Sequence, residues 1–239
     1  MEQGRRERLK EFWRARSRWQ QWVLGSLVAI ALWPFVMTLV YAVIPPPFSN
    51  VMLTRLIKGD GLHKQWMALD DMSPWLARAV VSSEDQRFCS HHGVDWVEFN
   101  EAVGSQVSVG EAPTRGASTI SMQTAKNLFL WDGHSFVRKV LELPLSYYMD
   151  FIWTKHRMLE VYLNVAEWAP GVYGAEAAAQ RHFGKSAAKL TRHEAALLAA
   201  VLPNPIKRQA GKPSRTVNIV AARIQLRMSG IDPYLTCIH

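Results

Sequence analysis

Cysteine is scarce in this chain: Cys89 and Cys237 are its only two among 239 residues. Two are too few for a disulfide framework, which excludes the small stapled secreted folds. They could pair, but Cys237 lies near the chain end, and two free thiols are the expectation. An internal repeat is missing, and so is any succession of alternating strand-like segments, which argues against solenoids and β-sandwiches. Acidic residues are in deficit, 20 Asp+Glu against 28 Lys+Arg, for a formal net charge of +8. The excess is uneven, because residues 1–21 hold seven Arg/Lys and three Glu, a net +4 of that +8. A nucleic-acid binder carries its basic excess on the folded part, so that class is disfavoured.

Charge itself is absent from Trp22 to Ile44, a run of 23 positions. About 20 apolar residues span the roughly 30 Å of hydrocarbon as a helix, and an internal proline such as Pro34 is tolerated there. A cleaved signal peptide is the competing reading, but the run exceeds a typical h-region and no clear small-x-small site precedes Pro45. Arg5, Arg6, Arg8, Lys10, Arg14, Arg16 and Arg18 flank the run on its N-terminal side, interleaved with Trp13 and Trp19. Basic flanks stay in the cytoplasm. The expected layout is a basic cytoplasmic tail (1–21), a transmembrane helix (22–44) and an extracytoplasmic domain (45–239). With 49% hydrophobic residues, the chain has material for a sizeable core.

Beyond Pro45-Pro46-Pro47 the spacing reads as a polar connector (Thr54 to Lys64), then a short strand or irregular chain (Leu62 to Leu69). Ser73-Pro74 pairs an N-cap residue with proline at the first helical position. Helical spacing then covers Ser118 to Leu130, Phe136 to Trp153, Lys155 to Val165, Glu176 to His182 and Thr191 to Val201. The last of these opens on the capping box Thr191-x-x-Glu194 and stops at Pro203-Asn204-Pro205. A final helix is expected from Thr216 to Met228. The domain is therefore mainly α. Ala102 to Ala117 shows no helical period, and an aperiodic loop that long is more often functional or mobile than structural.

Chemistry concentrates in a few stretches. Ser83 to Gly93 packs Glu84, Asp85, Arg87, His91 and His92 directly after an apolar helical run. A carboxylate at the end of a packed helix suits acid–base work, since burial raises its pKa; a capped helix end with a polar loop is the plain alternative. Gly116 to Asn127 offers a helix start with Ser118 and Thr119, where free N–H groups hold anions, and sets Gln123 and Lys126 on one face. An ordinary capped helix has the same look. Arg138 and Glu142, four apart with Lys139 beside them, share a helix face, and a surface ion pair is the default for that spacing. Glu160 and Asn164 share another, with Glu160 free to pair Arg157 or His156, and plain helix packing is the default reading of Lys155 to Asn164.

Taken in order, ED-x-x-F-x-x-H-x-G (84–93), G-x-S-T-I (116–120), Q-x-x-K-N (123–127), R-K-x-x-E (138–142) and Y-L-N (162–164) resemble the peptidoglycan glycosyltransferase family, glycosyltransferase family 51. The likeness runs over roughly residues 48–228, through Tyr173-Gly174, Glu194 to Ala199 and Leu202 to Pro205. It implies a lysozyme-like helical glycosyltransferase domain that polymerises lipid II, with a growing chain on undecaprenyl pyrophosphate as donor. The chain ends where bifunctional members continue into a transpeptidase domain, so a monofunctional member is expected.

The resemblance implies that Glu84 is the base taking the acceptor proton, with inversion to a β-1,4 link. Lys126, Arg138 and Lys139 would stabilise the departing pyrophosphate. Glu142, the second acid, would orient those cations or help hold a divalent cation (Mg²⁺ or Mn²⁺) on the pyrophosphate; no organic cofactor is implied. Ser118, Thr119 and Gln123 would line the donor site. Asp85, Phe88, Gly116 and Asn127 match binding positions, and His91 would hold the loop that presents Glu84. A single-pass protein of the cell inner membrane is implied, with lipid II, the bilayer and cell-wall synthesis or division proteins as partners. Two positions depart from the common pattern: Met122 replaces a Gln, and His134 replaces a cation. Two other readings compete, a lytic lysozyme-like enzyme and a non-catalytic scaffold; the first has no use for the cation cluster, and the second is supported only by Met122 and His134.

Overall fold

The computed structural model describes residues 17–101, 118–133 and 135–238. The aperiodic segment 102–117 with Gly116, His134 and most of the basic tail therefore lie outside the described residues. The chain divides into two compact units, Met1–Val40 and Tyr41–His239.

In the first unit, α1 (Arg18–Tyr41) carries Pro34 inside it. Its mean hydropathy of 2.2 makes it long and apolar enough to cross a membrane. It starts four residues earlier and ends three earlier than the uncharged run, because helix propagation depends on backbone bonds and not on charge.

The second unit is helical with one small sheet. Its helices include α2 (Asn50–Ile57), α3 (Pro74–Glu84), α4 (Ile120–Phe129), α5 (Phe136–Ile152), α6 (Lys155–Val165), α7 (Ala175–Phe183), α8 (Arg192–Val201) and α9 (Arg215–Met228). Hydroxyl caps start most of them. Ser49, Thr119, Ser135, Thr154, Thr191 and Ser214 each accept a hydrogen bond from a first-turn N–H, worth about 1 kcal/mol apiece. The Thr191–Glu194 capping box forms in both directions. Helix α2 begins before the expected polar connector (Thr54 to Lys64) and takes up its first four residues; its buried residues are only Val51 and Met52.

Three strands form the sheet: β1 (His63–Lys64), β2 (Glu167–Ala169) and β3 (Val172–Tyr173). Their order is β1-β3-β2, with β1 parallel and β2 antiparallel to β3. At two or three residues each, they are too short to leave an alternating pattern.

Packing sets the frame for the polar residues. Helix α3 lies against α8 and α9, while α4 lies against α2, α5 and α6. The side chains of Leu76, Val80, Val81, Ile120, Met122, Met158, Leu159 and Leu198 are fully buried between these layers. Each such burial contributes on the order of 1.5–3 kcal/mol. Met122 thus faces the core, not a cleft.

One expectation is corrected. Cys89 and Cys237 are not free thiols; they form a disulfide across 148 residues of sequence. The chain end is not loose, because Ile231, Leu235 and Ile238 are buried and Arg78 binds Asp232 at 2.7 Å. That docking brings Cys237 to the loop after α3.

Candidate active site

Glu84 is the last residue of α3 and lies partly buried in a cleft of about 540 Å³ that Ser83, Ser118, Gln123, Pro203 and Arg208 also line. Burial pushes its carboxyl above the ordinary range, a hydrogen bond from Gln123 opposes that, and nearby Asp85 adds to it. Gln123 Nε2 donates to Glu84 Oε2 at 2.9 Å. The amide's other end accepts from the Tyr162 hydroxyl at 3.1 Å.

Behind Glu84 lies a buried tether. Asp85 accepts from His91 Nε2 at 2.9 Å and from the Ile120 N–H at 3.0 Å, so one carboxylate joins the end of α3, its loop and the start of α4. Thr119, the α4 cap, also donates to the Gly93 carbonyl at 2.5 Å. Gly93 has φ +77°, and a Cβ there would lie 2.6 Å from the Ser146 carbonyl oxygen, so only glycine lets the loop rest on α5. Phe88 is fully buried, with the Lys155 ammonium over its ring. Phe88, His91 and Thr119 are therefore placed in the packed wall that aims Glu84, not in the open cleft, while Asp85 is buried in that wall and also borders the cleft.

A second cleft of about 290 Å³ meets the first at Gln123 and Pro203. Lys126, Asn127, Arg138 and Tyr162 line it, with Arg55 and Glu167 on its rim. The Arg138–Glu142 pair is no surface feature: Glu142 is 1% exposed and accepts from both Arg138 Nη1 and, at 3.0 Å, Lys139 Nζ. Lys139 also donates to Ser118 Oγ at 3.0 Å.

The cations are crowded. Burial, then the charges of Arg138 and Lys126, lowers the Lys139 ammonium to about 8. Burial, then Arg138, lowers Lys126 as well, and burial lowers Arg138. Among the described residues Lys126 is given no ion pair, and the buried Arg138 Nε has no hydrogen-bond partner. Such a cluster has donors and positive charge left over for an anion. Asp132 and Glu167 offset the cluster only in part, since they also lie 3.1 and 3.4 Å from Arg55 nitrogens.

A protein-held divalent ion does not fit this donor set. Both Glu142 oxygens already face cations. Among the described residues no group of three or more His, Cys, Asp or Glu is arranged to hold a metal.

The structure thus brings Glu84, Ser118 and Gln123 to one cleft and Lys126, Asn127 and Arg138 to the other, with Lys139 bridging through Ser118. Sequence reasoning did not single out Tyr162, Arg55 or Arg208 as site residues. Tyr162 stood in the Y-L-N stretch, which read as helix packing; Arg55 and Arg208 stand outside every motif.

Known proteins resemble this chain over most of its length. The model of the family described as Transglycosylase matches residues 50–228. A biosynthetic peptidoglycan transglycosylase of Rhizobium meliloti (strain 1021) is 47% identical over 100% of both chains. One from Agrobacterium fabrum (strain C58 / ATCC 33970) is 49% identical over 90% of this chain and 95% of the relative. One from Brucella suis biovar 1 (strain 1330) is 44% identical, covering 90% and 96%.

Proposed function

Since the chain belongs to the Transglycosylase family, we propose that it polymerises lipid II into β-1,4-linked glycan with Glu84 as general base. The observation that carries this reading is the meeting of the two clefts at Gln123, with a perturbed carboxylate on one side and unsatisfied cations on the other. Inversion requires base and leaving group on opposite faces of the sugar. Glu84 takes the proton from the acceptor GlcNAc 4-hydroxyl as its oxygen attacks the donor anomeric carbon. Pyrophosphate leaves toward Lys126, Arg138 and Lys139, where fixed positive charge stabilises the negative charge that develops. Glu142 keeps Arg138 and Lys139 together, and the unpaired Arg138 Nε is a donor left for the anion. A divalent cation would come on the substrate's own phosphate oxygens. A raised carboxyl also suits proton donation in lytic glycan cleavage, but that reaction has no pyrophosphate for the cations to receive.

We place the catalytic unit in the periplasm, anchored in the inner membrane by α1 with the basic tail in the cytoplasm. The Cys89–Cys237 disulfide supports this side, because structural disulfides persist in oxidising compartments. Helix α5 also exposes Phe136, Val137, Val140 and Phe151, an apolar face suited to the bilayer that holds the substrate's lipid.

Polymerisation of labelled lipid II tests the chemistry, with products separated on a gel. Wild type gives a ladder and Glu84→Gln none; a Glu84→Gln ladder at the wild-type rate refutes the base. Flotation of the chain truncated before residue 45 with liposomes tests the apolar face, and absence of binding removes it.

A further inference from the structure

Tyr162 is 1% exposed on α6, on the side of Gln123 opposite Glu84, and belongs to none of the chemistry assigned above. A glutamine amide is two-ended: its oxygen only accepts and its nitrogen only donates. Beside a carboxylate the two orientations are not equal, since one offers a donor and the other sets oxygen against oxygen. The ionised carboxylate, which only accepts, selects the NH₂ end, and the far end of the amide is anchored by a hydroxyl donating to Oε1 at 3.1 Å.

We infer that Tyr162 is a positioning residue for catalysis: its hydroxyl anchors the Gln123 amide so that the NH₂ group stays on Glu84. The inference rests on Glu84 being the base. Burial, then the neighbouring charges of Glu84 and Asp85, keeps the Tyr162 hydroxyl protonated well past its ordinary range, so the donor is permanent. No other neighbour replaces it. Asp85, adjacent on the chain, is taken up by His91 and the Ile120 N–H. Lys126 on α4 and Arg208 beyond α8 favour the ionised Glu84 through space, while burial and Asp85 oppose it. Glu98, Arg223 and Arg227 line the same cleft from other segments. Among these influences, the Gln123 hydrogen bond is the one that acts by direct contact to favour ionised Glu84.

Without the hydroxyl, the amide loses its far anchor and leaves Glu84 for part of the time. Glu84 then holds its proton to higher pH, and less base is present near neutrality. Substrate binding across the cation cleft is unaffected.

The test is the pH dependence of lipid II polymerisation by the full-length protein, comparing wild type, Tyr162→Phe, Gln123→Ala, the double variant and Glu84→Gln. Tyr162→Phe is expected to lower kcat roughly 10-fold near neutral pH, part of what a positioned base contributes. The acid limb moves to higher pH, activity recovers at the alkaline end, and KM is unchanged. The double variant is no slower than Gln123→Ala, because Tyr162 acts only through Gln123. An acid limb that stays in place, a change confined to KM, or losses that multiply in the double variant each overturn the inference. Should Tyr162→Phe not fold, Gln123→Ala decides: its acid limb also moves up, or the relay is wrong. An active Glu84→Gln variant sinks the base assignment itself. An inactive Glu84→Gln beside an unmoved Tyr162→Phe limb sinks only the role of Tyr162.

Discussion

Replacing Cys237 by Ser opens a loop of 148 residues, and the size of the effect follows from that length. The chain-entropy relation gives about 5 kcal/mol for a closure of this size, an upper figure because the unfolded chain is more compact than a random coil. About 3–5 kcal/mol is then expected, a large share of the roughly 5–15 kcal/mol that holds a domain together. Local detachment of the tail is not the expected outcome. Ile231, Leu235 and Ile238 are buried, at about 1.5–3 kcal/mol each, and Arg78 retains Asp232. The variant therefore stays folded and unfolds at lower urea. With a slope of about 2.5 kcal/mol per molar, the midpoint falls by about 1–2 M. Thiol titration in guanidinium closes the argument: no reactive thiol before reduction and two after it. Two titratable thiols in the unreduced protein, or an unmoved urea midpoint in Cys237→Ser, would refute the reasoning.

The remaining predictions concern the cation cleft. Because the Lys139 ammonium lies at about 8, it loses its charge as pH rises through that value; KM for lipid II climbs above it, and Lys139→Arg carries the rise to higher pH. A flat KM across pH 7–10 would show that Lys139 does not meet the anion. Glu142→Gln removes the buried carboxylate between Arg138 and Lys139 and is expected to cost about 3 kcal/mol in urea unfolding, together with most of kcat. A variant of unchanged stability would mean that Glu142 is not the brace it is taken to be.

Much of the fold was legible because its signals are local. The Thr191-x-x-Glu194 box, the Ser73-Pro74 start and the apolar periods of α4, α5 and α6 each depend on a few neighbouring residues. Helix α2 was not legible, since it has a short apolar face and runs into a stretch that reads as polar connector. The disulfide was hidden for another reason: pairing depends on a tail docked by Leu235 and Ile238 against α3, a contact with no local signature. In the site, the spacing of Arg138 and Glu142 gave the pair but not its burial, which comes from α5 lying on α4. Asp85, Phe88 and His91 carry the densest motif, yet they sit in the wall behind Glu84. Tyr162 is the converse: its stretch looked like packing, and its hydroxyl reaches the amide that holds the acid.

The same arrangement explains why the cluster can be cationic without tearing the fold apart. Arg138 and Lys139 are sequence neighbours that repel, and that repulsion adds to burial in lowering the Lys139 ammonium. A solvated pair would splay. Here Glu142, buried at the root of both side chains, holds them together with one negative charge against two positive ones. That ratio matters. With no carboxylate the two cations would separate, and with two the cluster would be neutral and indifferent to an anion. The residual charge, the unpaired Arg138 Nε and Lys126 all belong to the cleft that Gln123 divides from Glu84. On the proposed reading the cluster then serves both ends of the reaction: Lys126 favours the ionised form of Glu84 before it takes its proton, and the three cations together receive the charge that grows on the departing pyrophosphate.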